Sequence, residues 1–541
     1  MKQKLFRAGC AALSLSLAAG LFTSCSILPQ PSAPASHPEQ EAPKDYDASS
    51  IQDDRLRILY NYNAVGGNTI LCGDTVLRQS PASETSYLVT DAQTGETNYY
   101  FVKWSDASAP SGRRCALYDK TGSEVLSFDR DYDLSLSGGM LILRVPDVFA
   151  FSPVNNHEAG DIRVVDLATG NDLPVPENAY GCVAVGDYLA FSIYAPGDAE
   201  PDEENDDLYQ YSVVQVQDKA GNIVYQTDRA GAAATSLSGT FGDEFVPSDW
   251  LEIDVYSADA SYSIEAAYLL NPSTGEELPH FVRYCGNGTA CFHTEDGGYQ
   301  LVDLVSTENS TVLREFDQKV VAYAYAPGLV LLSSDGYSSY TFYDLTTGDT
   351  KDLLDITLGT NDLAFYAADG TLRSYDSRTG ALLTDETIEP VENLQRVYLT
   401  AEEDGWVWLR QYNNDDYEVT TSTVCGPNGV VKQMDAAALN ERYNSYLSPL
   451  LTTEDGIYFS ASYEGPNSTW LSDVLDSDGN VVIRGLAVCN GYYRTYANPL
   501  PDGVFVARKG FRYGWMDLSG NWIYCQSIFD STSDDGTNYY F

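Results

Sequence analysis

The chain has 541 residues, 43% of them hydrophobic, with 78 acidic against 31 basic side chains and a formal net charge of −47. That charge repels phosphate backbones and anionic lipid surfaces, which excludes nucleic acid as a partner and leaves cation attraction or plain solubility as its role. The length admits one large repeat domain or two or three ordinary ones, and past the N-terminus no run is apolar or long enough to cross a bilayer.

The first element in chain order is an export signal. Lys2, Lys4 and Arg7 precede an uncharged stretch, Ala8 to Phe22, made mostly of Ala, Leu and Ser. It fits a secretory apolar region and is too short to span a bilayer. The stretch ends in Leu21-Phe22-Thr23-Ser24-Cys25. This resembles the lipobox of bacterial lipoproteins, with Phe22 where that family usually has Leu. The resemblance implies that residues 1–24 are removed, that Cys25 becomes the first residue, and that its sulfur carries diacylglycerol. A second, amide-linked acyl chain would complete a stable membrane anchor. The expected location is therefore the extracytoplasmic face of the cell membrane. Loss of residues 1–24 removes three basic groups and no acidic one, so the mature charge is 28 − 78 = −50. Residues 25–50 follow as a lipidated tether: Pro29, Pro31, Pro34, Pro38 and Pro43 sit among Ser, Ala, Gln and Glu, a composition that cannot bury enough apolar surface to order itself.

From residue 51 to 541 one motif recurs: an alternating strand, then Asp, two or three residues, Gly, and a second strand. Copies are Asp119 with Gly122, Asp166 with Gly170, Asp218 with Gly221, Asp344 with Gly348, Asp376 with Gly380, Asp476 with Gly479 and Asp517 with Gly520. Asp91 with Gly95 and Asn271 with Gly275 look like two more. The acidic side chain bonds backbone amides ahead of it and Gly supplies the positive φ that closes the hairpin. Asp296-Gly297, Asp335-Gly336 and Asp369-Gly370 mark an earlier hairpin in three of the units. Val320 to Leu354 reads as a whole four-stranded meander. Apart from two longer gaps, of 73 residues before Asp344 and 100 before Asp476, intervals between copies run from 28 to 53 residues and average about 42. Units of that size match propeller blades, which bury both faces of each sheet by stacking in a ring. The expectation is an all-β propeller of seven or eight four-stranded antiparallel blades, with β-sandwich arrays and solenoids as alternatives. Helix is expected only from Asp435, as N-cap, to Leu447.

Two further resemblances rest on these repeats. Gly510-Phe511-Arg512-Tyr513-Gly514-Trp515-Met516-Asp517 through Gly520-Asn521-Trp522-Ile523 resembles a WG repeat. The Asp-x-x-Thr-Gly copies resemble quinoprotein-type repeats, but the tryptophan expected a few residues past Gly122, Gly170, Gly348 and Gly380 is missing, as is an adjacent Cys-Cys pair. That likeness implies architecture alone and argues against a bound quinone; no cofactor is expected.

Candidate chemistry is sparse. No Gly-x-Ser-x-Gly elbow occurs, and the histidines are His37, His157, His280 and His293. Past Cys25 there are eight cysteines in no framework spacing, read mainly as small buried hydrophobes. His280, Cys285, Cys291 and His293 form the tightest cluster, open to three readings: buried free thiols, a disulfide across a hairpin at Gly286–Ala290, or zinc. The acidic run Asp198 to Asp207 and the stretch Asp530 to Gly536 lack the spacing of a calcium loop and read as solvated insertions. No catalytic, metal or cofactor-binding residue is assigned, and with 78 acids no catalytic carboxylate pair can be picked. The 40 Tyr and seven Trp, among them Tyr443, Tyr446, Tyr492 and Tyr493, are the remaining signal, as platforms for protein or sugar. The expected role is a non-enzymatic protein- or glycan-binding or scaffolding module of the envelope. The competing class is an extracytoplasmic hydrolase using carboxylates at a propeller mouth.

Overall fold

In the computed structural model, the described residues are 51–527 apart from 52, 61–67, 82, 146–161, 196–211, 228–230, 238–248, 257–263, 306–310, 317–320, 334–339, 360–361, 414–418, 444–446, 467–469 and 492–499. The signal 1–24, Cys25, the tether, His37, His157, the acidic run 198–207, Tyr446, Tyr492, Tyr493 and the stretch 530–536 lie outside them.

The described strands form antiparallel meanders, each strand pairing with its neighbours in sequence. Ten sheets result: eight of four strands, one of three and one of seven. The seven-stranded sheet is two four-stranded units sharing the long strand Thr350–Leu358, which pairs with Thr341–Asp344 through its first half and with Asp362–Ala367 through its second. Numbered in order, the units span 56–79, 84–128, 133–172, 179–226, 232–278, 281–316, 321–358, 350–387, 396–434, 447–486 and 488–527. The protein is thus all-β with propeller-like sheets. Its units number more than the seven or eight expected, because several close their hairpins without the Asp–Gly signature used to count them. In unit 9, for example, the last turn is Pro427–Gly429 with Asn428 at φ 61°.

Strand alternation explains how the sheets stack. In unit 2, Phe101 faces unit 3, while Tyr100 and Val102 on either side of it face unit 1. In unit 9, Trp408 faces unit 10 while Val407 and Leu409 face unit 8. Among the described residues, eleven buried clusters each join two units consecutive in the chain or the last to the first. The closing cluster sets Ile51, Leu59 and Leu71 against Val504, Val506, Tyr513, Trp515 and Tyr524. Beside it the Thr69 hydroxyl donates to Gln526 at 3.4 Å and the Gln79 amide donates to the Tyr524 hydroxyl at 3.3 Å. The Gly-Trp pair of the WG-like segment has a physical basis here. Trp515 is buried at this junction, and a Cβ on Gly514 would sit 2.1 Å from the carbonyl oxygen of Tyr524 on the adjacent strand.

All nine Asp/Asn–Gly turns form. Asp476 Oδ1 accepts from the amides of Asp478 and Asn480 at 2.9 and 2.8 Å, and Gly479 has φ 82°. Asp517 accepts from Asn521 at 2.8 Å, with Gly520 at φ 81°. In Asp119 burial pushes the carboxyl up, but the Thr121 hydroxyl and the amides of Thr121 and Ser123 outweigh it and hold the group below the usual carboxylate range. Eight of the turns join third and fourth strands; Asp91–Gly95 joins the first and second of unit 2. Replacing Asp476 by Ala removes two amide acceptors and is expected to lower stability by about 1 kcal/mol, read as a lower urea midpoint. An unchanged midpoint would show that Gly479 alone sets the turn.

The expected helix is present but shorter. It runs Ala436–Tyr443, with Asp435 Oδ1 accepting from the Ala438 amide at 3.1 Å; Leu447 already opens a strand. Among the described residues no helix is long and apolar enough to cross a membrane.

Candidate functional site

Antiparallel order gives each unit two rims. First–second and third–fourth turns share one rim, which carries the Asp–Gly turns. Second–third turns and the connectors between units share the other.

Two large aromatic side chains at this second rim, in units 10 and 11, and a third two residues inside it on the first strand of unit 9 are open to solvent. Tyr398, in the first strand of unit 9, is 41% exposed; Trp470, which opens the third strand of unit 10, is 58% exposed; Phe511, in the second–third turn of unit 11, is 48% exposed. Tyr and Trp are enriched at interfaces, where one part of the ring is buried and the other stays wet.

Beside Tyr398 sits Arg410, its cross-strand partner. The guanidinium lies 3.8 Å from the Trp408 ring and 5.5 Å from that of Tyr398. Trp408 is fixed from behind: its indole N–H donates to Ser422 Oγ at 2.9 Å and its ring meets Phe459 edge-on at 4.8 Å. Burial pulls the Arg410 guanidinium below its ordinary value, against the raising influence of Tyr412, Tyr398 and Asp355. Its Nε is buried without a hydrogen-bond partner, and no carboxylate among the described residues lies within ion-pair distance of it. A cation held this way is stabilised by ring faces, with Asp355 adding attraction from beyond ion-pair distance. The hollow lined by Trp408, Arg410, Ser422, Leu439 and Asn440 measures about 10 Å³, close to the room one water needs. It admits a protruding polar group, not a whole ligand.

The helix Ala436–Tyr443 forms the far wall. Asp473, fully buried in unit 10, anchors it: one oxygen accepts from Arg442 at 2.7 Å and from the Tyr443 hydroxyl at 3.1 Å, the other from the Gly485 amide at 3.0 Å. Burial, with Asp473 adding to it, pushes the Tyr443 phenol up to about 12, so it remains a donor. Asn440 Nδ2 donates to the Val419 carbonyl at 3.1 Å. Tyr443 is therefore a buried strut and not the exposed platform its position in the sequence suggested.

The other sequence candidates separate. Cys285 and Cys291 are buried between units 6 and 7, His293 is exposed with its ring tilted against that of Tyr299 at 4.5 Å, and His280 is exposed with φ 63°. The four do not form a metal-binding group, and no other such group occurs among the described residues. All eight described cysteines are free thiols. Two carboxyls are raised by burial. Asp355 accepts from the amides of Leu399 and Ile356 at 2.8 and 2.9 Å, and Asp362, 2% exposed, accepts from the Gly405 amide. Both hold backbone between units 8 and 9.

The sequence model of a domain of unknown function, DUF5046, matches residues 262–535, just over half of the chain. The chain belongs to this family. The matched region contains the whole aromatic rim of units 9 to 11 and the Cys285–Cys291 hairpin. A search of curated proteins finds no match. Similar solved structures include apo AztD from Citrobacter koseri, 12% identical over 61% of this chain and 92% of that one, with a TM-score of 0.26. BamB from Moraxella catarrhalis is 12% identical over 74% and 96%, with a TM-score of 0.23. The computationally designed Ika8 protein is 15% identical over 61% and 92%, with a TM-score of 0.25. These scores are low, and the architecture stands on the strand registers themselves.

Proposed function

We propose that this member of DUF5046 is a lipid-anchored, extracytoplasmic binding module whose rim at units 9 to 11 takes a protein or glycan ligand. The observation that carries the reading is the exposure of Trp470 and Phe511 at one rim of units 10 and 11, and of Tyr398 toward the same end of unit 9 beside a guanidinium packed among rings. Exposed aromatic rings stack on sugars or seat apolar side chains, and a stacked Arg supplies directional donors to carboxylates and carbonyls. The raised carboxyls needed for a hydrolase are turned to a different use, since Asp355 and Asp362 both brace backbone amides. The anchor follows from Lys2, Lys4, Arg7 and the small residues before Cys25.

The test is photo-crosslinking on native cells. A photoreactive amino acid at position 470 is expected to capture a ligand, whereas the same residue at Asp478, exposed on the opposite rim, captures none. Combined Tyr398→Ala, Trp470→Ala and Phe511→Ala should weaken binding of that ligand at least tenfold. Equal capture at both rims would refute the site, and release of a cleaved product would replace the binding reading with the hydrolase one. Cys25→Ser should free the protein from the membrane fraction.

A further inference from the structure

We propose that Cys285 and Cys291 are a dithiol redox site, which a small-molecule disulfide converts to an internal bridge. The inference is independent of the binding rim. Both cysteines lie in one hairpin, in the strands Phe281–Gly286 and Thr289–His293. The register runs Arg283 to Cys291, Tyr284 to Ala290 and Gly286 to Thr289, so Cys285 is the extra residue of a bulge with no cross-strand partner of its own. Both side chains enter the same buried cluster, against Ala322, Ala324 and Val330 of unit 7.

The chemistry of the pair differs from that of the other thiols. Burial pushes up the thiols of Cys72, Cys115, Cys182, Cys425, Cys489 and Cys525. Cys291 alone is pulled down, first by a hydrogen bond from the Cys285 thiol and then, against its burial, by the positive charge of Arg283 opposite. Arg283 is itself held in place 4.5 Å from the Tyr323 ring. A thiol beside a donor and a guanidinium has the raised thiolate fraction that makes it the attacking sulfur. No other two described cysteines share a hairpin. Access runs through the turn between the strands, where Gly286, Asn287 and Gly288 all have positive φ, at 111°, 44° and 76°. Asn287 Nδ2 donates to the Ala324 carbonyl at 3.0 Å and the Gly288 amide to the Tyr284 hydroxyl at 2.7 Å, so a small disulfide reaches the buried sulfurs when these bonds open locally.

The exchange balances without a further oxidant. The Cys291 thiolate attacks one sulfur of the small disulfide, whose S–S bond breaks; the departing thiolate takes up a proton. The Cys285 thiol gives up its proton and attacks Cys291 Sγ in the mixed disulfide. A Cys285–Cys291 bond forms, and a second small thiolate leaves and is protonated. Two protein thiols are oxidised and one disulfide is reduced to two thiols.

The test uses the purified chain incubated with oxidised glutathione at neutral pH, then unfolded, alkylated and digested with trypsin without reduction. Residues 284–314 contain no Lys and no Arg before Arg314, so both cysteines fall in one peptide. That peptide should appear unlabelled and lighter by two hydrogens, while the other six described cysteines carry label. Cys285→Ser should retain one glutathione, on Cys291, and Cys291→Ser should acquire glutathione on Cys285 at least tenfold more slowly. Alkylation of both cysteines in the wild-type peptide overturns the proposal, as does a bridge to any other cysteine or the reverse order of the two variants. The wild-type mapping stands even where a variant fails to fold.

Discussion

Replacing Asp91 by Ala is expected to lower stability by about 3 kcal/mol, more than the same change at any other of the nine Asp/Asn–Gly turns. The side chain is 8% exposed and clips units 2 and 3 together. Its Oδ1 accepts from the amides of Gln93 at 2.9 Å and Thr94 at 3.3 Å, closing its own turn, and from the Gly138 amide at 2.9 Å. Its Oδ2 accepts from the Gly139 amide at 2.9 Å. Gly138 and Gly139 have φ 56° and 74°, a conformation that aims two successive amides at one carboxylate. Deleting the acceptor strands both donors in a half-buried junction, where each costs roughly 1–3 kcal/mol. Asn at position 91 can keep three of the four bonds but sets its amide N–H₂ against that of Gly139, so an intermediate loss is expected. Burial pushes this carboxyl up, and the amides of Gly139, Gly138, Gln93 and Thr94 together bring it below the usual range. The group therefore contributes stability above the ordinary carboxylate pKa and loses that contribution as pH falls through its lowered folded value. Urea midpoints at neutral pH and in acid check both points. A variant within about 0.5 kcal/mol of wild type would mean that the Ala92 amide, which donates to the Leu136 carbonyl at 2.8 Å, suffices to join the turns.

How much of this was legible depends on how local each cause is. The Asp–Gly turns were readable because all their determinants, an acceptor side chain and a residue that tolerates positive φ, lie within five positions. The meander of Val320 to Leu354 was readable for the same reason: alternation and two turn signals fix it, and the strands Val321–Ala326, Leu329–Ser333, Thr341–Asp344 and Thr350–Leu358 follow. The number of units was not readable, since counting needs every unit to use the same turn. Unit 1 turns at Gly73, unit 9 at Asn428 and Gly429, and units 7 and 8 share a strand. The binding rim was not readable either. Trp408 and Trp470 each sit in a strand, yet one is 2% and the other 58% exposed. The difference is set by what the next unit places over each ring, which no local pattern encodes. The Cys285–Cys291 hairpin was visible from its spacing. Its bulge, which decides how the thiols meet, was not.

The second large effect runs in the opposite pH direction. Asp362→Asn is expected to stabilise the protein by about 2 kcal/mol at pH 8 and to change it little at pH 4 and below. Asp362 opens the second strand of unit 8 and accepts from the Gly405 amide at 2.5 Å. The Gly405 carbonyl in turn accepts from the hydroxyls of Thr384 at 2.7 Å and Ser374 at 3.2 Å. Gly405 is thus a peptide of unit 9 plugged into unit 8, with φ 84° and no space for a Cβ, which would lie 2.7 Å from that of Leu383. Burial pushes the Asp362 carboxyl up to about 7; the Gly405 amide offsets part of this, while Asp404, Asp376 and Glu403 add to it. Folding therefore takes up a proton across the interval from the ordinary carboxylate pKa to about 7. Stability from this group is whole below that interval and is lost as pH rises through it. A rise of about three units sets an upper bound near 4 kcal/mol, and relaxation around the charged form brings the expectation to about half. Asn keeps an oxygen for the Gly405 amide and carries no charge to bury. Urea midpoints of wild type and variant should coincide near pH 4, the ordinary carboxylate pKa, and diverge upward for the variant through pH 8. Parallel pH profiles would show that Asp362 titrates like an exposed acid, and a less stable variant at pH 8 would show that the charged carboxylate, not its neutral form, is what the Gly405 peptide requires.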